Sequence, residues 1–293
     1  MALLKDVAVL FMAAEDWDRA TISRVSYWVE VFGEKDIAEI TEDEADDAMA
    51  KLATRGRLKG GKLPTTATGK PLAGSTVNRY LAQIGSLYKF AKKHKLLRRG
   101  FVSPFMGIER HPEPADPERY LRPEEVDRVR AAARVLDKRW GKMEALIVVA
   151  YHTGLRAGAL TNLKRKDVDL DEGTLFVKVT KNGDPITVSL STDARKHMKR
   201  ACRGLQPDER IFASRSGKPF NYDNLWDRLA KAAGLDGHVF HELRHGHGHQ
   251  LSRKGASQHQ IMQSMGHRTL SASARYAHAN VDDKRAVIQR AFG

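Results

Sequence analysis

The sequence predicts a mainly α-helical protein with a small antiparallel β-sheet, organised as two domains. Apolar residues recur at helical spacing through the first hundred positions, and only one later stretch carries a clear strand signal. Segment 109–119 contains three prolines and few apolar side chains, which disfavours regular structure and stiffens the chain. At 293 residues the chain is long enough to bury two cores. We therefore expect a helical domain over 1–108, a linker over 109–119 and a second domain over 120–293.

Four helices are predicted before the linker. Segments 5–15 and 19–32 are rich in apolar residues at helical spacing. The string TEDE provides a capping box for a helix over about 41–51, and Ser75 is expected to cap a long helix with one apolar side. Residues 54–74 are rich in Gly, Lys, Thr and Pro, which predicts a mobile basic loop.

The second domain is predicted to contain one β-hairpin among helices. The strings TLFVKVT (174–180) and PITVSL (185–190) flank Asn182-Gly183, a dipeptide that favours a type I′ turn. Three helices are expected ahead of the hairpin, over about 123–138, 142–152 and 157–164. The remainder of the chain is expected to be mainly helical.

The charge of the chain favours a polyanionic partner. The formal net charge is +14 and the isoelectric point is near 9.8, and nucleic acid is the commonest partner of such proteins. Residues 1–50 carry four basic against thirteen acidic side chains, so the positive excess lies after position 50. This segregation predicts one side that faces DNA and another that faces away from it.

The long helix near the end of the first domain carries the densest positive charge. Residues 75–99 contain seven cationic side chains and no acidic one. Cations are favoured at the C-terminal end of any helix, so a solvated helix end is the alternative interpretation. Because seven cations without a counter-charge exceed what that effect requires, we expect phosphate contacts. The predicted DNA-binding residues are Arg79, Lys89, Lys92, Lys93, Lys95, Arg98 and Arg99.

Cysteine usage and hydropathy indicate a cytoplasmic protein. The single cysteine, Cys202, cannot form an internal disulfide or a cysteine-rich zinc site. The apolar segment 7–14 is flanked directly by acidic residues, which fits a buried helix better than a signal peptide. No apolar run approaches the roughly 20 residues that span a bilayer.

Five strings in the second domain carry its reactive polar residues. They are TGLRAGAL (153–160), VTKNGDPITVSL (179–190), HELRH (241–245), MGHRTL (265–270) and ARYAH (274–278). Together and in this order they resemble the tyrosine recombinase (phage integrase) family, whereas the first domain resembles it only in general character. The resemblance implies a helical core-binding domain followed by a mostly helical catalytic domain with a small sheet. The candidate catalytic residues are Arg156, Lys181, His241, Arg244, His267 and Tyr276.

Attack on a phosphodiester explains the types of these residues. Two guanidiniums, Arg156 and Arg244, can hold the non-bridging oxygens in fixed geometry without losing their protons. The phenol of Tyr276 is the expected nucleophile, and a phenol with a pKa near 10 needs a base and a positive field to attack. His241 can supply the base and the arginines the field.

The leaving group needs a proton, which a lysine can donate to the departing 5′ oxygen. Lys181 lies at the predicted hairpin turn, and the resemblance favours a lysine in that place. The alternatives are Lys178 and, more weakly, Lys164 and Lys166. His267 is expected to hydrogen-bond the same phosphate, and its alternative role is to cap the turn after the preceding glycine.

The resemblance also implies a reaction and an assembly. Tyr276 would form a 3′-phosphotyrosyl link and release a 5′-hydroxyl, and the strand would then be rejoined to a different one without metal, ATP or another cofactor. Four protomers on two double-stranded DNA sites, exchanging strands through a Holliday junction, are expected, with a monomer or weak oligomer when free. An accessory DNA-bending or directionality protein is a further expected partner, and the resemblance implies a bacterial cell as the host, with a phage or mobile element as a candidate source of the gene. The tail 281–292 has an apolar stripe that would dock on its own domain or on a neighbouring subunit.

The sequence departs from the family pattern in two places. Ala159 stands where an acidic residue is common, which predicts weaker support for Arg156. Gly246 and Gly248 lie in a predicted helix, and each costs roughly 1 kcal/mol of helix stability. We therefore expect this helix to be less rigid than in relatives.

Two other functions fit parts of the sequence. The string HELRH matches HExxH, in which His241 and His245 would bind zinc and Glu242 would act as the base. However, the third histidine of the longer zinc motif would fall on Leu251, and no glutamate follows Glu242 in the chain. The second alternative is a catalytically inactive DNA-binding relative that acts as an accessory or regulator. The complete set of candidate catalytic residues disfavours this alternative.

Overall fold

The computed structural model of this chain divides into two compact units, Met1–Ala115 and Asp116–Gly293. It is mainly helical with one small antiparallel sheet, which confirms the predicted fold class. The structure describes residues 2–54, 71–113, 119–178, 185–274, 276, 288–289 and 291–292. Within these residues no helix is both long and apolar enough to cross a membrane.

The first unit is a group of four helices. They are α1 (Leu4–Ala13), α2 (Arg19–Phe32), α3 (Glu42–Thr54) and α4 (Gly74–Lys93), and all four were predicted. Trp28 lies at the centre of their core, fully buried, with its ring edge-on to Phe105 and its indole N–H donated to the Tyr80 carbonyl at 3.0 Å. Burial of such aromatic rings dominates the stability of a small core.

The beginnings of α3 and α4 test the predicted caps. The capping box before α3 is confirmed, because Thr41 and Glu44 exchange side chain-to-backbone hydrogen bonds. The predicted Ser75 cap is wrong: α4 begins at Gly74, and its N-cap is Ala73 without a side-chain hydrogen bond. Gly74 packs so closely on the Pro112 carbonyl that a Cβ would lie 2.3 Å from that oxygen. Packing, rather than a capping side chain, therefore sets the start of this helix.

The second unit has an apolar helix at its centre. It contains α5 (Pro123–Leu136), α6 (Met143–Thr153), α7 (Ala157–Asn162), α8 (Thr192–Ala201), α9 (Asp223–Ala232), α10 (Glu242–Arg253), α11 (Gln258–Met265) and α12 (Leu270–Ala274). Nine of the eleven residues of α6 are buried, and α5, α8 and α10 pack around it. A helix that is apolar on all sides is stable only in such an enclosed position.

The sheet of the second unit has three strands in the order β1-β2-β3, all antiparallel. They are β1 (Val168–Asp169), β2 (Thr174–Val177) and β3 (Ile186–Ser189), and Leu175 of β2 lies opposite Val188 of β3 on the buried face. The two predicted strands are confirmed, and β1 is an addition too short to leave a pattern in the sequence. The predicted turn at Asn182-Gly183 lies outside the described residues, as do most of the predicted loop 54–74, part of the linker and most of the tail 281–292.

Helix α10 continues through both of its glycines. A Cβ at Gly246 would lie 2.5 Å from the Leu121 carbonyl oxygen and 2.8 Å from the Tyr151 ring. Only glycine lets α10 approach the chain this closely. Close packing of α10 therefore offsets the cost of glycine in helix propensity. The lower rigidity expected for this helix stays a prediction.

Gly154 ends α6 in the left-handed conformation, with φ of 62°. We expect Gly154→Ala to destabilise the protein by about 2 kcal/mol or more, because a left-handed alanine costs about 1 kcal/mol and overpacking adds to it. Its Cβ would lie 2.5 Å from Cδ2 of His247. Urea unfolding followed by tryptophan fluorescence measures the loss. The matched control is Gly217→Ala, with φ of 74° and no atom within 4 Å of its Cβ. Equal losses in the two variants would show that the His247 contact contributes nothing.

Candidate active site

One cleft of the second unit is lined by five cationic residues. Arg156 and Arg244 both line this cleft, whose volume is about 660 Å³, and one carboxylate, Asp167, lies among them. Three lysines also line it: Lys164, Lys166 and Lys178. A concave site with this excess of positive charge attracts an anion such as a phosphodiester.

Arg244 is held rigidly at the bottom of the cleft. It is only 4% exposed, and its guanidinium donates one hydrogen bond to the Gly154 carbonyl and another, of 2.8 Å, to the Met265 carbonyl. Burial and, secondly, the charge of Arg156 lower the pKa of Arg244 to about 10, so it stays protonated at neutral pH. The two guanidiniums therefore repel each other across the cleft, and an anion bound between them relieves this repulsion.

The string TGLR forms the turn that places Arg156. Gly154 closes α6, Leu155 is buried beneath the turn, and Arg156 is the N-cap residue of α7. The Thr153 hydroxyl donates to the Val149 carbonyl and accepts from the Leu155 amide, which satisfies the backbone at the bend. Arg156 is half-buried and lines the cleft beside Arg244.

His247 locks this turn onto α10, a role that sequence reasoning missed. Its ring lies against Gly154, its Nδ1 is 2.9 Å from the Tyr151 carbonyl, and its Nε2 is 3.1 Å from the Ser264 hydroxyl. A carbonyl only accepts, so Nδ1 carries the proton and the neutral ring accepts from Ser264 at Nε2. Burial lowers the pKa of His247 to about 4, although the Tyr151 carbonyl opposes the shift. The sequence feature that could have indicated this role is the position of His247, three residues after Arg244 on the same face of the helix.

Tyr276 is buried at the edge of the cleft. It is 2% exposed and packs with Ile261 and Met265 in a small apolar cluster. Its hydroxyl is 2.9 Å from Nδ1 of His245, and its charged form would raise the pKa of Arg244. The ring lies over Gly248, where a Cβ would be 2.8 Å from Cε1 and Cζ. The second glycine of α10 thus makes room for the tyrosine.

His241 and His267 lie beside this tyrosine–histidine pair. His241 is exposed at the start of α10, with its ring edge-on to that of His245 and the ring centroids 5.0 Å apart. The His267 ring is parallel to that of Tyr276 at 6.3 Å, and its Nδ1 is 2.7 Å from the hydroxyl of the buried Ser273. This contact with Ser273 orients His267.

Of the six predicted catalytic residues, Arg156 and Arg244 line the cleft, and Tyr276 packs on Met265 of the cleft wall with His267 beside it. His241 packs against His245, the partner of Tyr276, and Lys181 lies outside the described residues. Its alternatives, Lys164, Lys166 and Lys178, line the cleft. Lys164 and Lys166 both reach the carboxylate of Asp208, at 3.2 and 2.6 Å. Ala159, the departure from the family pattern, is half-buried on the cleft wall.

The HELRH string is engaged in other contacts. Glu242 is 5% exposed, and its carboxylate is 2.5 Å from Nδ1 of His238. Among the described residues, no group of three or more His, Cys, Asp or Glu side chains is arranged to hold a metal ion. The base of the zinc interpretation is therefore engaged by His238, a histidine outside the motif.

The basic residues of the first unit form an exposed surface. All seven predicted DNA-binding side chains are exposed, and none of them has a carboxylate partner within the described part of the chain. Val77, Ile84 and Leu87 bury the opposite side of α4, which directs the charges outward. After the helix ends, Lys95 turns the chain with a φ of 58°, and Arg98 and Arg99 follow this turn.

Solved structures share this architecture. The integrase of transposon Tn1549 bound to transposon right end DNA superposes with a TM-score of 0.73 at 18% identity, over 98% of this chain and 99% of that one. A lambda integrase tetramer bound to a Holliday junction superposes with a TM-score of 0.66 at 17% identity, over 91% and 76% of the two chains. The fold is that of the DNA integrases.

Sequence comparison gives the family. Tyrosine recombinase XerC of Lactobacillus delbrueckii is 27% identical over 230 residues, which cover 73% of this chain and 76% of the relative. The integrase of Salmonella phage P22 is 24% identical over 283 residues, which cover 87% and 70%. Residues 119–283 match the sequence model of the phage integrase family. The chain belongs to this family, and its enzyme class is that of the tyrosine recombinases.

The pH dependence of stability tests the buried state of His247. Because its folded pKa, about 4, lies below the unfolded value of about 6.5, its contribution is complete above pH 6.5 and is lost as the pH falls toward 4. From pH 7 to pH 5 this amounts to about 2 kcal/mol. The stability gap between the wild type and His247→Gln in urea unfolding should narrow by this amount. The exposed His259 provides the control, His259→Gln, and a gap that stays constant would contradict the buried neutral ring.

Proposed function

We propose that this protein cuts and rejoins DNA strands at specific sites through a covalent 3′-phosphotyrosyl intermediate on Tyr276, without metal or ATP. The observation that carries the proposal is the placement of a buried phenol within electrostatic reach of Arg244, a guanidinium that shares one cationic cleft with Arg156. A transferred phosphate in that cleft carries its extra negative charge on oxygens facing Arg156 and Arg244. Preorganised positive charge of this kind provides most of the rate enhancement in phosphoryl transfer.

The remaining candidate residues have complementary roles in the reaction. His267 packs beside the phenol and His241 beside His245, and both are assigned to hydrogen bonds with the phosphate. The departing 5′ oxygen takes its proton from a lysine, for which Lys181 is the first candidate and Lys178 of the cleft the second. The phosphotyrosyl bond conserves the energy of the broken bond, so rejoining needs no ATP.

The substrate is double-stranded DNA, bound in part through the first unit. The exposed cations of α4 and of the segment after it are spaced along one surface and match a phosphate backbone. Four protomers acting on two sites through a Holliday junction fit the lambda integrase tetramer solved on such a junction. The free protein is then a monomer or weak oligomer in a bacterial cytoplasm, with an accessory DNA-bending or directionality protein as a further partner.

The covalent intermediate is directly testable. Nicked duplexes from DNA flanking the gene, incubated with protein in excess EDTA, should give an SDS-resistant protein–DNA adduct. Tyr276→Phe should abolish the adduct because no hydroxyl remains to attack, whereas Tyr222→Phe, half-buried away from the cleft, should retain it. Salt-sensitive DNA binding without any adduct, over duplexes tiled across both flanks, would indicate the inactive DNA-binding relative instead.

The DNA contact of the first unit is tested by salt dependence. Lys92→Gln with Lys93→Gln should reduce the slope of log K against log salt by about 2, because each phosphate contact contributes about 0.9. The matched control is Lys5→Gln with Lys35→Gln, which removes the same charge from lysines paired with Glu34 and Glu44 in the acidic N-terminal region. Equal slopes for the two double variants would mean that α4 does not contact phosphates.

A further inference from the structure

The hydroxyl of Tyr276 has a partner that the family-like strings did not single out as catalytic. Nδ1 of His245 lies 2.9 Å from this hydroxyl, which is the atom that attacks phosphorus in the proposed reaction. His245 follows Arg244 directly in α10 and is half-buried. The contact joins residues 31 positions apart in the chain.

We propose that His245 is the catalytic residue that accepts the phenol proton of Tyr276, an inference that rests on the proposed function. The lone pair of Nδ1 takes the proton as the phenol O–H bond breaks. The phenol oxygen then forms its bond to phosphorus, and the bond from phosphorus to the 5′ oxygen breaks. A separate acid, the lysine assigned to the leaving group above, protonates the departing oxygen. When the strand is rejoined, the imidazolium returns the proton to the phenol.

The packing of Tyr276 directs its hydroxyl at this nitrogen. His245, Gly248 and His249 lie on one face of α10, three and four residues apart, and the tyrosine ring lies over that face. The ring is against Gly248, and the His249 ring meets it edge-on with centroids 5.3 Å apart. A side chain larger than glycine at 248 would move the phenol off this position.

His241 occupies a different place. It is exposed, and it meets the edge of the His245 ring at a centroid distance of 5.0 Å. His245 thus lies between the exposed histidine and the phenol. On this proposal His245 serves the nucleophile in place of His241, the base predicted from the sequence, and His241 is left to contact the phosphate.

The positive charges around this pair have opposite effects on its two members. His241 and His249 pack against the pair from α10, His267 packs against Tyr276 from the turn after α11, and Arg244 interacts with Tyr276 electrostatically. Arg156, at the start of α7, acts on Arg244 in turn. A positive field stabilises phenolate relative to phenol and disfavours imidazolium relative to neutral imidazole. The neutral ring is the form that can accept a proton, so the field supplies a base in the correct state.

The decisive variant is His245→Asn. The asparagine amide oxygen lies near the position of Nδ1 and can accept the hydrogen bond, but it is not basic. Single-turnover adduct formation should slow by about 100-fold or more, the usual contribution of a general base, while DNA affinity is unchanged. The acidic limb of the pH–rate profile should also be lost. A His245→Asn protein that reacts at the wild-type rate would overturn the inference.

A second substrate separates proton removal from leaving-group protonation. A 5′-bridging phosphorothiolate at the scissile position provides a leaving group that needs no acid. The His245→Asn protein should stay slow on it, whereas Lys181→Ala should recover. Recovery of His245→Asn on this substrate would assign His245 to the leaving group and overturn the inference. His259→Gln, an exposed histidine in α11, is the matched control and should react normally on both substrates.

A measurement on the DNA-free protein covers the case in which the variant does not fold. In ¹⁵N-histidine NMR spectra, Tyr276→Phe should shift the Nδ1 resonance of His245, and an unchanged resonance would overturn the contact. Failure of the proposed function is distinguishable, because the wild type itself would then form no adduct on any duplex. An active wild type with an equally active His245→Asn would remove only the present inference.

Discussion

The candidate site depends on how one guanidinium is held. Arg244 donates to the carbonyls of Gly154 and Met265, two positions that belong to different turns. One turn follows α6 and leads to Arg156, and the other follows α11 and leads to His267. A buried cation with both of its hydrogen bonds made to backbone has little freedom to move. The single side chain therefore fixes two of the neighbouring candidate residues relative to itself.

Gly154 completes this arrangement because it combines a backbone conformation and two contacts that no other residue type permits together. It takes the left-handed conformation that ends α6, it offers its carbonyl to Arg244, and its Cα lies against the His247 ring. The neutral His247 in turn bridges Tyr151 and Ser264. Loss of any of these contacts would leave buried polar groups without partners, which costs more than the bonds contribute when made.

Some residues of α10 contribute side chains to the candidate site, and others let neighbouring elements pack closely on the helix. Arg244 faces the cleft, His245 meets the phenol, Gly246 admits α6, and Gly248 admits the tyrosine ring. The two glycines weaken the helix by roughly 1 kcal/mol each in an isolated peptide. Here they allow backbone and ring contacts that larger residues would prevent. A composition that looks unfavourable for a helix thus follows from the close packing on both of its sides.

The sequence by itself determined the mainly helical fold class, the helices ahead of the hairpin, the two longer strands and the candidates for the reactive residues. Periodicity is a local property, and the strings around Arg156, Arg244 and Tyr276 carry the chemical types that phosphoryl transfer requires. It did not determine the start of α4, which depends on contact between Gly74 and Pro112, or the two-residue strand β1, which is too short for a pattern. Nor did it pair His245 with Tyr276 or His247 with Gly154. Only the tertiary structure decided these, because their partners, Tyr276 and Gly154, are distant in the chain and are brought near by packing around α10.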